Sequence, residues 1–62
     1  MLNDIMISLI KSYYVPGDTK NKILQKMQES SHYIQSRQIK KDLDAVMNAL
    51  AALSEDEFQK LL

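Results

Sequence analysis

The stretch Ser36–Leu53, with the sequence SRQIKKDLDAVMNALAAL, decides the fold of this chain. Its large apolar residues follow one another at alternating spacings of four and three, and they are Ile39, Leu43, Val46, Leu50 and Leu53. That spacing is typical of one face of an α-helix and not of the alternation in a strand. Four alanines in the same stretch add strong helix propensity. The stretch therefore predicts an amphipathic helix whose apolar stripe needs a covering surface.

The length and composition of the chain limit what can cover that stripe. A chain of 62 residues buries only about 60% of its unfolded surface, so its core is marginal. Small domains usually add disulfides, a metal or a partner chain, but this chain has no cysteine and only one histidine, His32. A single histidine without cysteine cannot form a structural zinc site. We therefore expect no metal and no cofactor, and a core that oligomerisation completes.

The expected compartment is the cytoplasm. A chain without cysteine fits a reducing compartment. The apolar residues 1–15 are interrupted by Asp4 and Lys11, lack the charged start and cleavage site of a leader, and are too short to span a bilayer. The formal net charge is zero, which gives no bulk attraction to an anionic membrane. We expect neither a membrane nor a small molecule as a partner.

Residues 2–14 predict a first helix with an unusually wide apolar surface. At 100° per residue, Ile7 and Tyr14 lie beside Ile10 rather than opposite it, so the apolar arc covers roughly 200° of the helix. A helix that covers only one side of a core needs about half of that arc. We expect this helix to be central in its own bundle or to be buried on a second side by another chain.

A tight turn follows the first helix. The sequence VPGD at positions 15–18 places proline and glycine where a turn requires a fixed φ and a positive φ. Asp18 or Thr19 can then cap a second helix, which we expect over residues 19–35. The short connection predicts that the first two helices are antiparallel neighbours.

The second and third helices are separated by a break in the apolar pattern. From Ile34 to Ile39 the spacing is five, which turns the apolar face by about 140°. We therefore expect a break with Ser36 as the N-cap of a helix over 36–53. The alternative is one long helix from Thr19 to Leu53, which would favour a helical hairpin that dimerises.

The end of the chain predicts a short fourth helix over residues 54–62. Ser54 followed by Glu57 is a capping box, in which each residue satisfies a backbone N–H group of the other. The fold class is thus all-α: a small antiparallel three-helix bundle with a short fourth C-terminal helix, forming one domain over residues 1–62.

The sequence contains no pattern that indicates catalysis. It has no glycine-rich phosphate loop, no Ser/His/Asp arrangement and no cluster of metal ligands. We therefore expect a protein that is not an enzyme.

The surplus of apolar helix surface indicates a protein–protein interaction module that acts as a regulator, inhibitor or assembly adaptor. We expect a homodimer, with a second protein as a further partner. The predicted contact residues are the apolar side chains that an intrachain core needs least, namely Ile7, Ile10, Tyr14, Phe58 and Leu62.

The alternative is a helix-turn-helix-like regulator that binds nucleic acid. The segment 19–41 holds six basic residues against the single acid Glu29, and an acidic segment follows it. The possible contacts to bases and phosphates lie at the start of the third helix, namely Arg37, Gln38, Lys40 and Lys41. Against this, the acidic Asp42 and Asp44 follow on the same helix.

Overall fold

A computed structural model of the protein describes residues 2–62, with side chains from residue 4 onward, so Met1 of the predicted domain lies outside it. These residues form four α-helices and no strand, which confirms the all-α class. The helices are α1 (Leu2–Tyr13), α2 (Lys20–Ser31), α3 (Arg37–Ala51) and α4 (Glu55–Lys60). The radius of gyration is 11.0 Å, close to the value of about 10.6 Å expected for a folded chain of this length.

The turn between α1 and α2 has the predicted form. The amide of Asp18 donates to the carbonyl of Val15 at 2.9 Å, and Gly17 takes φ +96°, which few other residues adopt without strain. Thr19 is the N-cap of α2 and accepts from the amide of Lys22 at 3.3 Å. The Asp18 carboxylate binds Lys26, and the hydrogen bond from that side chain, followed by one from the Val15 amide, holds the pKa of Asp18 below its usual range.

The break between α2 and α3 is present, so the alternative of one long helix is wrong. Ser36 is the N-cap of α3, and its hydroxyl accepts from the amide of Ile39 at 3.4 Å. Helix α2 ends at Ser31, four residues before the predicted end. Beyond it, the amides of Tyr33 and Ile34 donate to carbonyls three residues back, the tighter bonding that ends a helix.

Helix α4 is capped as predicted and is tied to α2 and α3. Ser54 and Glu57 form the capping box, and the hydrogen bond from the Ser54 amide is the main reason that the pKa of Glu57 is lowered. The Nζ of Lys20 donates to the carbonyl of Leu53 at 2.6 Å, and the Lys20 amide donates to Glu55 Oε1 at 3.0 Å. Gln59 donates to the other Glu55 oxygen at 2.7 Å and contributes most to the lowered pKa of Glu55.

The core lies where α2 meets the other three helices. All four helices supply side chains to it: Met6, Ile10, Ile23, Met27, Leu43, Val46, Leu50 and Phe58. Among residues 4–62, the polar residue Ser31 is also buried, and its hydroxyl donates to the carbonyl of Gln28 at 2.7 Å. The buried hydroxyl is therefore satisfied, as a buried polar group must be.

Candidate interaction surface

Two of the predicted contact residues belong to the core instead. Ile10 and Phe58 are 0% exposed, and both are among the largest fully buried side chains of the described residues. Ile10 lies near the middle of the core-facing side of α1, beside Met6, and Phe58 is the one buried residue of α4. The prediction that an intrachain core needs these two residues least was wrong.

The other three predicted contacts keep some exposed surface. Ile7 and Tyr14 are half-buried, and Leu62 is exposed. Ile7 lies on α1, and Tyr14 directly follows its last residue, with its amide donating to the carbonyl of Ile10 at 2.9 Å. Their contact with a partner stays a prediction.

A different apolar surface is more prominent, and it lies between α1 and the first turns of α3. It is a groove of about 320 Å³, lined by Ile5, Leu9, Tyr13, Ile34, Ile39, Asp42 and Leu43. Ile5, Leu9 and Tyr13 are spaced by four and line up along one side of α1. Leu43 is only 4% exposed and also belongs to the core. The floor of the groove is thus the edge of the core itself, and we call this surface the α1/α3 groove.

Two isoleucines flank the α1/α3 groove and remain largely in contact with water. Ile5 on α1 is 51% exposed and Ile39 on α3 is 57% exposed. Ile39 belongs to the apolar stripe that the sequence predicts to need a covering surface, and the described residues leave it 57% exposed. Ile39 is in phase with Leu43 and Val46, but it lies in the first turn of α3, which extends beyond the buried core. Sequence reasoning therefore missed the groove, although the wide apolar arc of α1 signalled surplus surface.

The charge of the α1/α3 groove comes from one residue. Among the side chains that line it, Asp42 is the charged one. Its Oδ1 accepts a hydrogen bond from Gln38 Nε2 at 3.1 Å, one helical turn earlier. The groove is therefore apolar inside and carries a carboxylate at its rim.

The basic segment 19–41 is not one continuous patch. Lys26 pairs with Asp18, and Lys20 donates to carbonyls at the end of α3. These two cations stabilise helix ends within the chain. The predicted nucleic-acid contacts are all exposed and lie in the first two turns of α3: Arg37, Gln38, Lys40 and Lys41.

A second cavity of about 360 Å³ lies between the end of α1 and α2. Its lining is mixed, with Lys26, Glu29 and Ser30 beside Tyr13 and Tyr33. Lys26 binds Asp18 and the carbonyl of Tyr13 at 3.0 Å, so this lysine stabilises the turn between α1 and α2.

Within residues 2–62, no group of three or more histidine, cysteine or carboxylate residues is placed to hold a metal ion. His32, the single imidazole, is exposed in the turn after α2. None of the four described helices combines the length and the apolar character that crossing a bilayer requires.

Comparison with known proteins adds no relative. No family model matches the chain, and no curated protein or solved structure is significantly similar to it.

Proposed function

We propose that this chain is a small, non-enzymatic protein–protein interaction module that works as a regulator, inhibitor or assembly adaptor. Its contact surface is the α1/α3 groove rather than the predicted set that included Ile10 and Phe58. The observation that carries the proposal is the pair Ile5 and Ile39, 51% and 57% exposed on either side of an apolar groove. Exposed apolar patches that adjoin a core mark partner surfaces more often than isolated exposed side chains do.

The two exposed isoleucines supply only part of the free energy that a specific interaction requires. Fully burying one isoleucine contributes about 1.5–3 kcal/mol, so covering the exposed halves of two contributes roughly 1.5–3 kcal/mol in total. That corresponds to a factor of about 10 to 100 in affinity. Because association itself costs several kcal/mol, the partner must also contact the apolar floor around Leu9, Tyr13 and Ile34.

The arrangement of the helices and the oligomeric state are part of the same proposal. We propose that α1, α2 and α3 form an antiparallel three-helix bundle, with α4 as a short closing helix and a homodimer completing the apolar burial. In support, α2 contacts each of the other three helices, and the tight turn at Gly17 reverses the chain between α1 and α2. The cytoplasm stays the expected compartment, since the chain has no cysteine.

Site-specific photo-crosslinking tests the contact surface directly. A benzophenone amino acid replaces Ile39 in one variant and Ile5 in another, and both are irradiated in the cell that makes the protein. Asn48 is the matched control position, because it is exposed on the same helix and lies outside the groove. We expect discrete adducts from positions 5 and 39 and none from position 48. An adduct of twice 7.2 kDa identifies a homodimer, and another mass identifies a second protein. Equal labelling from all three positions, or no adduct at all, would contradict the proposal.

Light scattering over a concentration series tests the homodimer separately. A dimer is expected to fall to half its mass on dilution, and the substitution Ile39→Ser should shift that transition to higher concentration. A monomer at every concentration would remove the homodimer while leaving a second protein as the partner.

Nucleic-acid binding is the second candidate function, and one observation favours it. Ser36 caps α3 so that three exposed cations, Arg37, Lys40 and Lys41, occupy its first two turns. Contacts from these three to phosphates would give a slope of log affinity against log salt of about −2.7. Gel retardation at low salt that disappears in the Lys40→Glu, Lys41→Glu double variant would support this function. The absence of retardation for single- and double-stranded DNA and RNA would exclude it.

A further inference from the structure

We propose that two copies of this chain exchange α4: the connection between α3 and α4 straightens into one continuous helix, and Phe58 of each copy fills the core position that α4 vacates in the other. This inference rests on the proposed homodimer and adds to it a contact away from the α1/α3 groove. Four features carry it: a connection without a helix breaker, an apolar pattern that continues across it, the few contacts that hold α4, and the hydrogen bonds at the connection.

The connection between α3 and α4 is short and contains no residue that forbids a helix. The single proline and the single glycine of the chain are Pro16 and Gly17, so every residue from α3 to the end of the chain can adopt helical φ and ψ. Ala52 is already helical at φ −76° and ψ −15°, whereas Ser54 is extended at ψ 165°. A change of the backbone near Ser54 therefore joins α3 and α4 into one helix.

The apolar stripe of α3 continues into α4 when the two helices are joined. At about 100° per residue, Leu61 would lie about 20° and Phe58 about 80° from Leu50 around the continuous helix. A single copy in this form would expose Phe58 to water and leave a cavity in its core, and both cost stability. A second copy removes both costs, because the site that receives α4 is the same in every copy. Exchange of an identical element is a low-cost route to a dimer.

Few contacts hold α4 in place. It is a six-residue helix with one buried side chain, Phe58, and it packs mainly on α2. Isolated helices of this length are not stable in water. Helix α4 therefore separates from α2 at a lower cost than the unfolding of the whole domain.

The straightened connection replaces the hydrogen bonds that it breaks. In the structure, the Nζ of Lys20 donates to the carbonyls of Ala51 and Leu53 at the end of α3, and the capping box closes the start of α4. In the continuous helix these two carbonyls would instead accept from the amides of Glu55 and Glu57, four residues further along the chain. Straightening therefore leaves neither carbonyl without a donor.

Proline at position 55 tests the exchange, because it fits two separate helices but not a continuous one. Glu55 is the first residue of α4, where proline is well tolerated, and Ser54 before it has the extended backbone that a following proline favours. In the continuous helix the same proline would lie in the interior and clash with the carbonyl of Ala51. Glu55→Ala is the matched control, because it also removes the carboxylate but permits both forms.

Light scattering over a concentration series measures the Kd of the dimer. We expect Glu55→Pro to raise this Kd by at least about 100-fold, and Glu55→Ala to dimerise like the wild type. Ser54→Ala removes the cap that favours separate helices, a factor of about 5 in each copy, so it should lower the Kd about 25-fold. Circular dichroism checks that each variant is folded.

Isotope-filtered NMR locates Phe58 in the wild-type dimer. Labelled (¹³C) and unlabelled chains are mixed one to one, unfolded and refolded together. We expect contacts between the Phe58 ring of one copy and the buried α2 side chains Ile23 and Met27 of the other. If Glu55→Pro fails to fold, these spectra and Ser54→Ala decide the question.

Three results would overturn the inference. One is a monomer at millimolar concentration in both the wild type and Ser54→Ala. Another is a dimer in which the contacts between Phe58 and α2 lie within one copy. The third is a dimer that folded Glu55→Pro leaves unchanged and Ile39→Ser weakens, which would show that the copies meet at the groove alone. In that case the proposed interaction function stands and only the exchange of α4 is rejected.

Discussion

Phe58→Ala is expected to remove a third or more of the free energy of unfolding of this chain. Phe58 is 0% exposed and is the one buried side chain of the six-residue helix α4. Replacing a buried phenylalanine by alanine costs about 3–5 kcal/mol, through lost apolar transfer and the cavity that remains. The whole domain of 62 residues has a free energy of unfolding of about 3–9 kcal/mol at 0.05–0.15 kcal/mol per residue. The substitution therefore removes a third or more of the total.

Urea unfolding followed by circular dichroism at 222 nm measures this loss. With a slope of about 1 kcal/mol per molar urea for a domain of this size, the loss of about 3–5 kcal/mol should move the midpoint down by about 3–5 M or leave the variant unfolded in buffer. Leu62→Ala is the control, because Leu62 is exposed at the end of the same segment and should shift the midpoint by less than about 0.5 M. A Phe58→Ala midpoint within about 1 M of the wild type, measured on monomeric protein, would refute the assignment of Phe58 to the core and return it to the contact surface.

Three further predictions concern local features. Gly17→Ala should lower the free energy of unfolding in urea by about 1 kcal/mol. Gly17 has φ +96° and no atom lies within 4 Å of an added Cβ, so this cost is backbone strain alone. D-alanine introduced at the same position by chemical synthesis should cost nothing, and an equal loss of stability from both alanines would contradict this. Ser54→Ala should cost about 1 kcal/mol by removing the acceptor for the Glu57 amide, whereas Ser54→Gly should cost only a few tenths. Hydrogen bonds lower the pKa values of Asp18, Glu55 and Glu57 in the folded state. The stability that these carboxylates contribute is therefore complete above the ordinary pKa values of about 3.9 for aspartate and about 4.3 for glutamate. It is lost as the pH falls through the lower pKa values of the folded state. Urea midpoints from pH 6 to pH 2 should show this fall, with a smaller fall in Lys26→Met; a flat profile would contradict it.

The features that the sequence predicted correctly are those that depend on near neighbours in the chain. The turn at Gly17, the N-cap Ser36 and the capping box at Ser54 each follow from residues within four positions of one another. The break after α2 followed from one spacing of five between Ile34 and Ile39. Such rules fix where helices begin and end without reference to the rest of the fold.

The features that the sequence missed depend on where neighbouring helices lie along each axis. A helical pattern gives the angle of a side chain around the helix but not its height relative to a partner helix. Ile39 and Leu43 share a face, yet Ile39 is 57% exposed and Leu43 is 4% exposed. The same ambiguity affects α1, where Ile10 was predicted to contact a partner and is instead fully buried.

The charge pattern was ambiguous for a related reason. Counting residues made the segment 19–41 strongly basic, but Lys20 finds its partners more than thirty residues away, at Leu53 and Glu55. No local pattern predicts contacts at that separation. Once Lys20 and Lys26 are assigned to helix ends, the remaining cations of the segment are Lys22 on α2 and Arg37, Lys40 and Lys41 at the start of α3.

Folding and partner binding are linked in this chain because they share side chains. Leu43 belongs to the core and lines the α1/α3 groove, and Leu9 and Tyr13 pack against the core from the groove side. A partner that binds only the folded state stabilises it by about 2.7 kcal/mol at a concentration one hundred times its Kd. That gain is comparable to a third or more of the free energy of unfolding expected for a domain of this size. A peptide that fills the groove and does not bind the unfolded chain should therefore raise the urea midpoint, by an amount that depends on its concentration relative to its Kd. An unchanged midpoint at one hundred times the Kd would contradict this linkage.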